Sequence, residues 1–284
     1  MFPTTAVSPQ PSITKQPLRP FLKWAGGKQR LLRQYQAYFP PFHRINRYYE
    51  PFIGGGAVFF HFQPQTAVLA DRNTTLMEVY EAVQQDVEAV IEALRPHRNE
   101  SDYFYEVRAW DVSQLTLAER AARILFLNKT CYNGLFRENA KGKFNVPFGR
   151  YKNPQICNAE RLHLASAALQ NVTLMAADFE HVLETAVADD FVYLDPPYAP
   201  LSATSRFTQY DKHGFALTDQ IRLAETVDRL TARGCRVMLS NSSAPIIYEL
   251  YAGKYRLIEM HARRNINSKG SCRGPIKELL ILNY

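Results

Sequence analysis

Residues Asp195-Pro196-Pro197-Tyr198 place a carboxylate, two prolines and an aromatic ring in unbroken succession. Prolines fix the backbone and donate no N–H, while their carbonyls stay free to accept. Asp195 and a Pro196 carbonyl therefore offer two acceptors side by side. An exocyclic amino group carries two N–H donors and matches that pair. Tyr198 adds a flat ring on which a base could stack. A lone Pro-Pro is ordinarily just a rigid exit from a strand. Here it follows the apolar run Phe191-Val192-Tyr193-Leu194, which reads as a buried strand. The acid then falls at the carboxyl end of that strand, where open α/β sheets bind ligands.

A second candidate is Glu50-Pro51-Phe52-Ile53-Gly54-Gly55-Gly56. Glycines let a ligand approach the backbone closely. The loop lacks the Lys-Ser/Thr of a phosphate-binding loop and the GxGxxG spacing of a dinucleotide site. An acid at Glu50 opposes phosphate and favours a cationic group. A plain tight turn explains an isolated Gly triplet equally well. Asp71, with Asn73, follows about 20 residues on, where an acidic residue takes ribose hydroxyls in nucleotide folds. A lone Asp there usually caps a helix. Lys23-Trp24-Ala25-Gly26-Gly27-Lys28 reads, taken alone, as a turn around a buried Trp, and Asp178-Phe179 as a helix cap.

The elements that must position these residues alternate. Residues 1–20 form a leader rich in Pro, Ser, Thr and Gln, without apolar period. Strands are predicted at 48–50, 67–70, 172–175, 191–194, 236–240, 255–260 and 278–282, and helices at 29–38, 57–62, 75–94, 117–129, 159–169, 179–187 and 219–231. Residues 130–154, dense in Asn, Gly, Lys, Arg and aromatics, read as an exposed loop or hairpin. The order predicts an α/β doubly wound sheet, residues 21–80 and 169–284, interrupted by a mainly helical insert at 81–168 that carries the hairpin.

Composition sets bounds. The 284 residues are 46% hydrophobic and 21% charged, which is globular. Lys and Arg number 34 against 27 Asp and Glu, a surplus of +7 that favours a polyanionic partner. No apolar run reaches the ~18 residues of a membrane helix, and no secretory signal opens the chain. Cys131, Cys157, Cys235 and Cys272 form no CxxC pair, so neither a metal site nor a disulfide framework is expected, and free thiols fit a cytoplasmic protein. No oligomeric state follows from the sequence, and a monomer is compatible with it.

Taken together these segments resemble the Dam-type DNA adenine-N6 methyltransferases, the D12 class of the α group of amino methyltransferases. That family carries a KWxGGK-like start, a YxEPFxGGGAVF loop, a DxN-like acid, a DF pair and DPPY in this order. Here they are Lys23 to Lys28, Tyr48 to Phe59, Asp71 with Asn73, Asp178-Phe179 and Asp195 to Tyr198. The likeness runs from about residue 21 to 284. It implies a Rossmann-like methyltransferase sheet, an S-adenosylmethionine donor and double-stranded DNA as partner. Trp24, Ala25, Gly26 and Lys28 would flank the cofactor. Glu50, Pro51, Phe52, Gly54 and Gly55 would form its pocket. Asp71 and Asn73 would meet the ribose, Asp178 and Phe179 the adenine. Asp195 would face the methyl group and the target amine.

In that family the hairpin reads GATC. Leu135, Arg137, Pro147 and Tyr151 match its readers, with Lys23, Asn133, Asn145 and Lys152 beside them and Lys269 and Arg273 in a basic loop before the last strand. A guanidinium at Arg137 suits guanine O6 and N7. Lys129, Lys141, Lys143 and Arg150 suit phosphates, although a charge run is most often a solvated face. Glu138 departs from close family members, which carry an aromatic there. Two rivals stay open: methylation of another planar amine, such as cytosine N4, and a catalytically silent DNA-binding relative.

Overall fold

The computed structural model describes residues 16–29, 31–201, 215–263 and 275–284. Lys269 and Arg273 therefore lie outside the described residues. The helices are α1 (Leu32–Tyr35), α2 (Ala57–Phe62), α3 (Thr74–Gln85), α4 (Val87–Leu94), α5 (Ser101–Ala109), α6 (Leu117–Thr130), α7 (Ala159–Leu169), α8 (Phe179–Leu183), α9 (Leu217–Ala232) and α10 (Pro245–Tyr251). The strands are β1 (Tyr48–Glu50), β2 (Ala67–Asp71), β3 (Val172–Ala176), β4 (Phe191–Leu194), β5 (Arg236–Ser242), β6 (Arg256–Arg263) and β7 (Pro275–Leu282). Among the described residues they form a single sheet in the order β3-β2-β1-β4-β5-β7-β6. The first five are parallel; β7 runs antiparallel to both β5 and β6.

Alternation along each strand builds two cores. Tyr48, Leu69, Phe191, Tyr193, Met238 and Leu280 face one way, against α1 to α7. Tyr49, Val68, Val192, Leu194, Leu239 and Ile281 face the other, against α8 to α10. Both faces of the sheet are covered, which is why β4 is apolar at every position. This is the Rossmann-like α/β architecture expected, with the mainly helical insert and its hairpin. Among the described residues no helix is long and apolar enough to cross a membrane.

Several elements differ from the sequence expectation. The helix expected over 75–94 is two, because Asp86 leaves helical geometry (φ −149°, ψ 82°) and turns its carboxylate onto the Ala89 N–H. Its apolar period continues across the break, so spacing alone could not show it. The helix expected over 29–38 is confined to α1, ahead of Pro40 and Pro41, which cannot continue it. The segment 179–187 is helical only to Leu183. Helices α5 and α10 were not expected. Each buries only two side chains, Phe104 and Val107 in α5, Ile247 and Tyr251 in α10. Pro245 at the first turn of α10 was the available start signal.

The turn between β1 and α2 is closed by Gly56, at φ +70°. A Cβ there would lie 2.7 Å from the Tyr80 hydroxyl and 2.9 Å from the Phe60 ring. Gly56→Ala should lower the unfolding free energy by about 2–4 kcal/mol, from the left-handed backbone and the overpacking together. Urea unfolding checks this; a variant as stable as the parent would show that the loop relaxes freely.

Candidate active site

The sheet order reverses between β1 and β4, which pair directly. Ligand crevices in open α/β sheets form at such a switch, beyond the carboxyl ends of the strands. Glu50 ends β1, Asp71 ends β2, Asp178 follows β3 and Asp195 follows β4. The fold thus brings every acid singled out from the sequence to one edge of the sheet.

Asp195 is only partly buried. Its Oδ1 receives the Lys28 ammonium at 2.8 Å and the Ser240 hydroxyl at 2.8 Å. Lys28 is 6% exposed, donates also to the Gly26 carbonyl at 3.0 Å, and stands 4.6 Å over the Tyr198 ring. The Tyr198 hydroxyl donates to Glu278 at 2.6 Å. The Pro197 carbonyl accepts from Gln220 at 3.0 Å. Among the described residues neither Asp195 Oδ2 nor the Pro196 carbonyl has a hydrogen-bond partner.

Glu50 is 2% exposed and forms no ion pair among the described residues. Burial pushes its carboxyl up to about 8; the Tyr48 hydroxyl, donating at 2.7 Å, opposes that, and the nearby Asp195 adds to it. A buried acid held this way asks for a cation. The glycine loop beside it is locked by Asp71, whose Oδ2 accepts from Gly54 N–H at 3.1 Å and whose Oδ1 accepts from Asn73 N–H at 3.0 Å. Asn73 in turn caps α3 through the Leu76 N–H. Pro51 is buried and Phe52 half-buried. Trp24 is pressed into the loop: a Cβ on Gly54 would meet its indole at 2.8 Å, and one on Gly55 its Cβ at 3.0 Å. Ala25 and Gly26 are exposed beside it.

At the far side, Asp178 caps α8 through the Glu180 N–H. Its Oδ2 pairs with Arg222 at 2.8 Å, and that guanidinium lies 4.7 Å from the Phe179 ring. The Phe179 ring is buried against Phe52 and Phe215. Sequence reasoning passed over Arg222, which nothing local marks.

The family model for D12 class N6 adenine-specific DNA methyltransferases matches residues 24–266. The chain belongs to that family. It is 43% identical over 275 residues to the Type II methyltransferase M1.LlaDCHI of Lactococcus lactis subsp. cremoris, covering 94% of this chain and 96% of the relative. It is 43% identical over 288 residues to the Type II methyltransferase M.MjaIII of Methanocaldococcus jannaschii, covering 94% and 99%. It is 38% identical over 268 residues to the DNA adenine methylase of Escherichia coli K12, covering 93% and 95%.

A second surface of this methyltransferase is the hairpin after α6, pinned by bridges Cys131–Phe148 and Glu138–Phe144. Asn133 (φ +56°), Arg137, Pro147 and Lys152 are exposed on it; Leu135, Asn145 and Tyr151 are half-buried. Tyr132 is 55% exposed, unusual for an aromatic. Arg137 Nε donates to Asn145 Oδ1 at 2.6 Å, which fixes the guanidinium. Lys23 Nζ lies 4.5 Å over the Tyr151 ring. Lys129, expected among the phosphate contacts, turns inward and donates to the Phe21 carbonyl, and burial pulls its ammonium down to about 8. Asn128, unmarked by the sequence, is 1% exposed and holds both the Lys23 backbone and the Gly134 carbonyl. No group of three or more His, Cys, Asp or Glu suited to a metal occurs among the described residues.

Because Glu50 keeps its proton in the fold up to about pH 8 but loses it near 4.5 when unfolded, its contribution to stability falls as pH rises through that window. The difference in unfolding free energy between the parent and Glu50→Gln should drop by up to ~1.4 kcal/mol per pH unit there and level above it. Urea titrations at pH 5, 6.5 and 8 measure this, and a difference independent of pH contradicts the assignment.

Proposed function

We propose that this methyltransferase takes its methyl group from S-adenosylmethionine and delivers it to N6 of an adenine extruded from duplex DNA, within GATC. The observation that carries the reading is the pair of acceptors left among the described residues at the switch point, Asp195 Oδ2 and the Pro196 carbonyl, next to the buried Glu50 acid. The donor brings two positive centres, an ammonium and a sulfonium, and the buried Glu50 acid, held protonated by its burial, would ionise to pair with one of them. Trp24, Ala25, Gly26, Lys28, Glu50, Pro51, Phe52, Gly54, Gly55, Asp71, Asn73, Asp178, Phe179 and Asp195 would hold it. When bound, it supplies a methyl on a sulfonium, open to in-line attack.

The target nitrogen is a weak nucleophile, since its lone pair is delocalised into the ring. Hydrogen bonds from its two N–H groups to Asp195 and the Pro196 carbonyl draw it toward tetrahedral geometry and localise that pair. Positioning and electrostatics supply most of the acceleration. The Lys28 ammonium supports this corner as a place for an N–H donor, because it already combines the carboxylate with the Tyr198 ring. The incoming base meets Oδ2 while Lys28 stays on Oδ1, with Pro197 and Tyr198 bounding it. Flipping a base out of the duplex costs a few kcal/mol. Stacking on Tyr198 returns roughly 1–3 kcal/mol of that.

Residues 81–168 serve as the target-recognition part. Leu135, Arg137, Pro147 and Tyr151 read base edges, supported by Lys23, Asn133 and Asn145, while Lys152, Lys269 and Arg273 meet phosphates. The match of these hairpin residues to the GATC-reading pattern supports the site. Cytosine N4 needs the same two acceptors, but the adenine-specific family argues for N6.

Asp195→Ala should abolish methyl transfer in a tritiated-donor assay while cofactor and DNA binding stay largely intact; substantial residual activity would remove Asp195 from its role. Arg137→Ala should relax discrimination at one base pair by ~1–3 kcal/mol, read from transfer rates on singly substituted sites. Equal weakening on every sequence would make it a phosphate contact.

A further inference from the structure

Strand β5 ends in Ser240-Asn241-Ser242, and these side chains are 0%, 0% and 5% exposed. Three buried polar residues in a sheet are costly unless each finds a partner. Their partners converge on one place. Ser240 donates to Asp195 Oδ1 at 2.8 Å. Asn241 Oδ1 accepts from the Ala199 N–H at 3.1 Å, and its amide donates to Gln220 at 3.0 Å. Gln220, itself buried on α9, passes that restraint to the Pro197 carbonyl at 3.0 Å. Ser242 donates to the Ala199 carbonyl at 2.6 Å.

We infer that these four side chains form a cradle that positions the 195–199 loop, with Ser240 the positioning residue for Asp195. The inference rests on the reading of Asp195 as acceptor of the target amine. The cradle works by elimination. It occupies one oxygen of Asp195, the Pro197 carbonyl and both backbone groups of Ala199. What remains among the described residues is Asp195 Oδ2 and the Pro196 carbonyl, the two acceptors one NH2 requires. Tyr193, wholly buried, brings its hydroxyl to 3.4 Å from Ser240 Oγ. Of the acceptors within reach of the Ser240 hydroxyl, Asp195 Oδ1 at 2.8 Å is nearest, against 3.5 Å to the Leu194 carbonyl. Ser240 touches neither the base nor the donor in this scheme. Together with Lys28, which holds the same oxygen, it fixes the rotation of the carboxylate that does.

The test uses the full chain, S-adenosylmethionine and a GATC duplex, with 2-aminopurine at the target position as a separate probe of base extrusion. Ser240→Ala should lower the single-turnover rate at saturating substrates by about 10²-fold, the scale of a misplaced reacting group. The dissociation constants for donor and DNA, the 2-aminopurine signal and the thermal midpoint should stay at parental values. In an Asp195→Asn background the same change should cost little more, since both act through one carboxylate. Ser240→Cys, with nearly the same volume and a weak donor, should show the same loss and serves if the Ala variant folds poorly. A parental rate in either variant overturns the inference. So does a loss shared with the binding constants, or one that multiplies fully on Asp195→Asn. If Asp195→Ala itself stays active, the functional reading fails first; if it is dead and Ser240→Ala is not, only the cradle fails.

Discussion

Two acids, Glu50 and Asp195, end adjacent parallel strands, and one lysine ammonium serves the second of them. A neutral buried acid beside a lysine-paired carboxylate organises the site. Like charges this close oppose each other's ionisation, and Glu50 holds its proton for that reason as well as for its burial. A phosphate would be repelled from such a corner; a cation is invited. Glycines bring the backbone close without adding charge, and Asp71 holds Gly54 with one oxygen and the Asn73 N–H with the other.

The same corner is tied to the hairpin after α6 through Trp24. Trp24 rests on the glycine loop and stacks on Phe136 of the hairpin, centroids 5.3 Å apart. Asn128 locks the backbone one residue earlier. Segments distant in sequence, 23–28, 54–56 and 128–136, thus meet around a single indole.

Much of this was legible beforehand because its signals are local. An apolar run ending in Asp-Pro-Pro-Tyr can only be a buried strand with a rigid exit, and β4 is that. The glycine loop and the acid that follows it were placed by spacing. What escaped is what depends on partners far along the chain. Strand β5 was expected over 236–240; its hydrogen bonds to the 195–199 loop and its pairing with β7 carry it to Ser242. Arg222 on Asp178, Asn128 on Lys23 and the inward turn of Lys129 follow from contacts 44, 105 and 108 residues apart.

The position of β7 has a consequence for the order of assembly. It lies between β5 and β6, although both precede it in the chain. During synthesis β6 emerges with no sheet neighbour, and the hydrogen-bonding edge of β5 stands open until β7 slots between them. The same strand carries Glu278, the anchor of the Tyr198 hydroxyl. The 195–199 loop therefore gains its Tyr198–Glu278 anchor only when β7 has joined β5.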